Sequence, residues 1–245
     1  MKTVEIKTRD GVCAAYAYTP EGRTPWPAAL MFMDGPGMRP AIQELAERLS
    51  RAGYYVLLPD LFYRSGPYAP VDPKVVFTDP VLREQHRERF MDLAKPAAVM
   101  SDTAAFLDCL ETQPEVKPGP IGVVGYCMGG RLALLAAGTY PDRIAVMASY
   151  HGGGLAVEAP SSPHLLASRI KAKVYVAGAI EDKNFTDEQK AALEAALTEA
   201  RVDHRIETYQ AKHGWVPRDM PVHNPAEAEH HWRTLIPLFD GVLKP

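Results

Sequence analysis

Cysteine is scarce in this 245-residue chain: there are three, at positions 13, 109 and 127, widely spaced and with no C-x-x-C pair among them. An odd, scattered set excludes a disulfide framework and offers no zinc knuckle. Charge of one sign is not in excess either. Lys and Arg number 27 against 30 Asp and Glu, a formal net charge of -3, which gives no electrostatic reason to bind nucleic acid or an anionic membrane. No run approaches the roughly 20 apolar residues that a membrane helix needs. Charges break up the opening Met1-Lys2-Thr3-Val4-Glu5, so no secretory segment is read there. No glycine-rich phosphate loop of the G-x-G-x-x-G or P-loop kind surrounds Gly125–Gly130. The expectation left standing is a cytoplasmic protein acting on a small molecule, without cofactor or metal, and with its oligomeric state open.

Hydrophobic residues make up 47% of the chain, enough for one α/β domain over 1–245 with a real core. Two β-prone runs, Lys2–Thr8 and Val12–Tyr18, flank Asp10-Gly11 and predict a hairpin. Ala28–Met33 and Tyr54–Leu58 are continuous apolar runs, as expected of strands covered on both faces. Between them Pro40 opens a helical pattern carried by Ile42, Leu45, Ala46 and Leu49. Further strands are read at Ile121–Gly125, Ile144–Tyr150, Val174–Gly178 and His204–Tyr209. Helices are read at Gly129–Ala137, from the Thr186/Gln189 capping box to about Ala200, and from Asn224-Pro225 onward. Strand–helix alternation after a hairpin specifies a mostly parallel central sheet, with right-handed crossovers and helices on both faces. The stretch of about 62–95, rich in Pro, Arg and aromatics, has no clean period before about Pro80. It is read as a surface excursion with a short helix near 80–93 that walls a pocket.

The decisive segment is Ile121-Gly122-Val123-Val124-Gly125-Tyr126-Cys127-Met128-Gly129-Gly130. An apolar strand runs into Gly-x-Cys-x-Gly and then into a helical pattern, which is the arrangement of a nucleophile elbow with cysteine at its apex. The sharp turn holds its central residue in a strained conformation, and the two flanking glycines let strand and helix pass closely. A sulfur at a helix N-terminus faces unpaired N–H groups and the positive end of the dipole, both of which favour thiolate. Cys13, in an alternating strand, and Cys109, on an apolar helix, read instead as small buried hydrophobes.

Elbow enzymes place their partners in the chain order nucleophile, acid, histidine. The strand at Val174–Gly178 is followed by Glu181-Asp182. Either carboxylate is a candidate, and Asp182 is preferred because it leaves room to turn before the Thr186 cap. The strand at His204–Tyr209 is followed by His213-Gly214. His204 lies at the wrong end of that strand. His223, His230 and His231 fall in or near the last helix and read as surface residues. His151 follows Ile144–Tyr150 and is expected to border the pocket, but precedes the acid. A Cys127–His213–Asp182 triad follows. Its oxyanion donors are expected to be the N–H of Met128 and that of Gly35, since Pro36 has none. The aromatics Tyr126 and Trp215 flank the site.

Gly-Tyr-Cys-Met-Gly-Gly at 125–130, Asp182, His213-Gly214 and Leu58-Pro59-Asp60-Leu61-Phe62 together resemble the dienelactone hydrolase family, over nearly the whole chain. The resemblance implies an α/β-hydrolase fold, a cysteine triad and hydrolysis of a small lactone or ester through a thioester, with no cofactor. The alternatives are a carboxylesterase or thioesterase of other specificity, and a non-catalytic hydrolase-fold binding protein. In that family a glutamate of the oxyanion loop meets the resting cysteine; its counterpart here is the shorter Asp34. The family binds a substrate carboxylate with arginines. One of them lies four residues after the histidine, where this chain has Pro217 and then Arg218, while Arg83 and Arg87 in the excursion are candidates for another.

Overall fold

The computed structural model describes residues 1–22 and 24–244. Its sheet has eight strands in the order β1-β2-β4-β3-β5-β6-β7-β8: β1 Lys2–Lys7, β2 Val12–Tyr18, β3 Ala28–Phe32, β4 Tyr55–Pro59, β5 Ile121–Tyr126, β6 Ile144–Tyr150, β7 Lys173–Ala179 and β8 His204–Tyr209. The hairpin predicted around Asp10-Gly11 pairs β1 with β2, and β2 runs antiparallel to β4. All pairings from β4 through β8 are parallel. The sheet is therefore mostly parallel with an antiparallel edge, as the strand–helix alternation requires.

The apolar runs sit where their composition demands. Every residue of β3, β4 and β5 is buried, because helices cover both faces of the sheet centre. The edge strands carry the charge: in β1 only Ile6 is buried and in β8 only Tyr209. Charged edge strands discourage pairing with other chains.

The helices are α1 Pro40–Arg51, α2 Pro73–Val76, α3 Pro80–His86, α4 Pro96–Glu111, α5 Met128–Thr139, α6 Asp187–Glu199 and α7 Pro225–Leu243. Their starts follow the predicted chemistry. The Thr186 hydroxyl accepts from the Gln189 N–H, and Asn224 accepts from the Glu227 N–H at 3.2 Å with Pro225 at the first helical position. Trp232, Leu235 and Phe239 of α7 are buried. Glycine at 122 is what lets β5 meet that helix, because a Cβ there would press on the Phe239 ring.

The excursion is more ordered than its aperiodic sequence suggests. Asp72 and Asp79 each cap a helix that begins with the proline after it, and α3 continues into a π-helical turn over Arg87–Met91. Helices of four and seven residues are too short to show a hydrophobic period, so only the repeated Asp-Pro cap signals them. Among the described residues, no helix is long and apolar enough to cross a membrane.

Candidate active site

Cys127 caps α5 at the carboxyl end of β5, with φ 52° and ψ -115°. Left-handed φ is disfavoured for a side-chain-bearing residue, at a cost of about 1–3 kcal/mol. Three observations show how the elbow is held. The Cys127 N–H donates to the Tyr150 carbonyl at 3.0 Å, tying the apex to β6. A Cβ on Gly125 would overlap the Gly129 carbonyl, and a Cβ on Gly129 would overlap the carbonyls of Phe32 and Met33. Strand, elbow and helix thus meet backbone to backbone, and only glycine fits at either flank.

The structure brings the other two groups of the sequence argument together with Cys127. His213 Nε2 lies 3.1 Å from Cys127 Sγ, and His213 Nδ1–H donates to Asp182 Oδ2 at 2.8 Å. These groups come from the ends of β5, β8 and β7, brought side by side because ligand sites in parallel sheets form at the carboxyl ends of the strands. Asp182 is fixed further by the Asn184 N–H at 2.9 Å. Glu181, the other candidate acid, is exposed with φ 51°; its backbone makes the turn that aims Asp182 inward.

Electrostatics suit a charged pair. Burial by itself pulls the His213 imidazolium down, but the adjacent Cys127 sulfur and the bond to Asp182 outweigh it and carry the ring up to about 10. Burial likewise works against the Asp182 carboxylate, and the His213 ring and the Asn184 N–H more than offset it, leaving Asp182 below the usual carboxylate range. His151 is fully buried behind the triad rather than bordering the cavity. Its ring centroid stands 5.4 Å from that of His213 and 4.8 Å from that of Trp215. Burial first, then the nearby His213 charge, keeps it neutral.

Around Cys127 opens a cavity of about 830 Å³, lined by Asp34, Arg83, Met91, Arg131, Lys183 and His213 among others. Phe77, Thr78, Arg83 and Met91 contribute its wall from the excursion. Among the described residues, neither the Gly35 N–H nor the Met128 N–H has a backbone partner; Met128 lines the cavity, and Gly35 lies between the lining residues Asp34 and Pro36. Asp34 lines the cavity, but Arg39 grips both of its carboxylate oxygens, at 2.5 and 2.9 Å. Among the described residues Asp34 makes no hydrogen bond to Cys127: the carboxylate expected beside the cysteine lines the same cavity but is held by the arginine five residues on. Burial pushes the Asp34 carboxyl up, and Arg39 opposes this.

Of the residues expected to contact substrate, only Arg83 reaches the cavity. Arg87 turns outward to Glu84 and Asp92 on its own helical surface. Arg218 is exposed and pairs with Glu44 at 2.5 Å. Tyr126 is buried beneath the elbow with its hydroxyl 3.0 Å from His231 Nε2, and Trp215 is buried against Tyr209 and His151. His231, read as a surface residue, is fully buried in the same cluster. Sequence reasoning missed Arg131, Arg39 and His86. Arg131 sits one turn into α5, has no carboxylate partner, and is lowered by burial alone. Its position four residues after the nucleophile, on the same helix face, was the available signal. Nothing local marks Arg39 or His86. Among the described residues, no group of His, Cys, Asp and Glu is arranged to hold a metal ion.

Comparison with known proteins agrees with this architecture. The model of the dienelactone hydrolase family matches residues 13–243. A Synechocystis sp. relative is 26% identical over 258 residues, spanning 99% of this chain and all of its own. A Pseudomonas putida protein named carboxymethylenebutenolidase is 29% identical over 163 residues, 66% of this chain and 65% of its own. A crystal structure from Klebsiella pneumoniae subsp. pneumoniae superposes with a TM-score of 0.83 over 97% of each chain; at 19% identity that likeness is one of fold.

Proposed function

Because this chain belongs to the dienelactone hydrolase family, we propose that it hydrolyses a small ester or lactone by way of a thioester on Cys127. The observation that carries the reading is the unbroken file Cys127 Sγ, His213 ring and Asp182 carboxylate, at 3.1 and 2.8 Å, opening onto a cavity.

The chemistry follows from the contact between ring and sulfur. His213 Nε2 holds the proton of the Cys127 thiol as Sγ adds to the carbonyl carbon, and the electron pair moves onto the carbonyl oxygen. The N–H groups of Gly35 and Met128 stabilise that oxyanion. On collapse the C–O bond breaks, and His213 Nε2–H protonates the departing alkoxide. In a lactone that alcohol stays attached to the acyl group. Now neutral, His213 takes a proton from water, whose oxygen attacks the thioester. Collapse expels the thiolate and frees the carboxylic acid, and His213 keeps its proton. Asp182 holds the ring in the right tautomer throughout.

Mixing the protein with p-nitrophenyl acetate and quenching should yield one acetyl group on the peptide that contains Cys127, seen by mass spectrometry. Turnover that persists in Cys127→Ala, with no such adduct in the wild type, would exclude the thioester route.

The cavity favours an anionic substrate. Arg83, Arg131 and Lys183 line it, none of them in an ion pair among the described residues, and its one lining carboxylate, Asp34, is neutralised by Arg39. The name of the Pseudomonas putida relative supports a carboxylate-bearing lactone of the dienelactone kind. A charge-assisted hydrogen bond contributes about 1.5–3 kcal/mol, so Arg83→Met and Arg131→Met should each raise KM for such a lactone about tenfold or more. The rise for p-nitrophenyl acetate should be much smaller. Equal changes for both substrates would remove the anion subsite.

A further inference from the structure

The Arg39 guanidinium, 2% exposed, has a partner for each of its five N–H groups. Nη1 donates to Asp34 Oδ1 at 2.5 Å and to the Gly37 carbonyl at 3.1 Å. Nη2 donates to Asp34 Oδ2 at 2.9 Å and to Asp219 Oδ1 at 3.0 Å, and Nε donates to Asp219 Oδ2 at 2.7 Å. One side chain therefore grips two loops. The first, Asp34-Gly35-Pro36-Gly37, follows β3 and carries the Gly35 N–H, which has no backbone partner among the described residues. The second runs from His213 to α7, and its Met220, Pro221 and Val222 line the cavity just past Asp219. A third tie comes from the excursion, where His86 Nε2–H donates to the Gly35 carbonyl at 2.8 Å.

We propose that Arg39 is a positioning residue for acyl transfer: its fork sets the Gly35 N–H at the oxyanion position, locks that loop to the histidine loop, and withholds the Asp34 carboxylate from Cys127. The inference rests on the hydrolase reading above. An oxyanion donor lowers the barrier only if it is aimed before charge develops. The Asp34–Gly37 loop has little of its own to aim it, since one turn bond, from the Gly37 N–H to the Asp34 carbonyl at 3.1 Å, is its internal backbone tie. The aiming therefore falls to the side chains that clasp it. A planar five-donor fork can bridge two carboxylates and a carbonyl at once, whereas an ammonium, a point charge with three donors, cannot hold them in register. With both Asp34 oxygens engaged, His213 is left as the base that faces Cys127.

The test separates the oxyanion loop from the Cys127–His213 pair. Alkylation of Cys127 by iodoacetamide is displacement at an sp³ carbon and builds no oxyanion, so it reports the pair alone. Turnover of p-nitrophenyl acetate per alkylatable cysteine needs the loop as well. We expect kcat to fall about tenfold in Asp219→Ala and about a hundredfold in Arg39→Lys, with KM and the alkylation rate within about threefold of wild type. Asp219→Ala leaves the buried Arg39–Asp34 pair intact at a partly exposed site, so it serves even if Arg39→Lys does not fold. Turnover per alkylatable cysteine that stays within about threefold of wild type in Asp219→Ala overturns the proposal, as does a parallel loss of alkylation and turnover. A wild-type protein with no ester turnover at all would instead sink the hydrolase reading.

Discussion

Replacing Cys127 by alanine should leave a folded protein whose ester turnover is lower by a factor of about ten thousand or more. On the proposed route the sulfur bonds the acyl group, and no other group lining the cavity replaces it: Asp34 is held by Arg39, while Arg83, Arg131 and Lys183 are cations. The fold should survive, because Cys127 is only partly buried and alanine brings the same single Cβ to the left-handed cap position. His213→Gln should cost nearly as much, since it removes the proton shuttle from both half-reactions. The double variant should be no slower than Cys127→Ala alone, because groups that act as one unit are not additive. Initial rates on p-nitrophenyl acetate, with circular dichroism as the check on folding, decide the matter. A Cys127→Ala protein that still turns over at a tenth of the wild-type rate would take this residue out of the chemistry.

Gly125→Ala should be the most damaging single methyl group that can be added near the site. The new Cβ would overlap the carbonyl of Gly129, a backbone atom that is itself pinned against the ends of β3. A flexible side chain could swing aside; this carbonyl can move only if α5 lifts from the sheet. Overpacking a core usually costs about 1–3 kcal/mol, and a backbone-on-backbone clash belongs in the exceptional range above about 4 kcal/mol. Against a total stability of about 5–15 kcal/mol, that removes much of the folded population's margin. Urea unfolding should show a large drop in midpoint, or the soluble yield should collapse. Gly241→Ala is the matched control. A Cβ at Gly241 meets nothing within 4 Å, and the residue lies inside α7. That change should stabilise the protein by up to about 1 kcal/mol. If the two variants unfold at the same urea concentration, the close approach at the elbow is not what holds it.

Much of the molecule is legible in the chain because local physics wrote it there. Continuous apolar runs mean strands covered on both faces, and Asp-Gly between two β-prone runs means a hairpin. A glycine-flanked cysteine at a strand-to-helix junction means an elbow, and the order cysteine, acid, histidine then points to Asp182 and His213. Those features depend on spacing between neighbours, and spacing survives without a fold. The failures share a different origin. Arg87, Arg218, Tyr126 and Trp215 lie close in sequence to the cavity or its loops, yet each faces away, because the direction of a side chain is set by the packing around it.

The chain by itself determined the sheet, the elbow, and a cysteine and a histidine at strand ends, since each follows from periodicity, turn chemistry or chain order. Only the tertiary structure decided between Glu181 and Asp182, turned Arg131 and Arg83 into the cavity, and joined Arg39 to Asp34 and Asp219. The last of these spans 180 residues of sequence. Charge partners so far apart meet only where folding puts them, and no pattern along a chain records a distance through space.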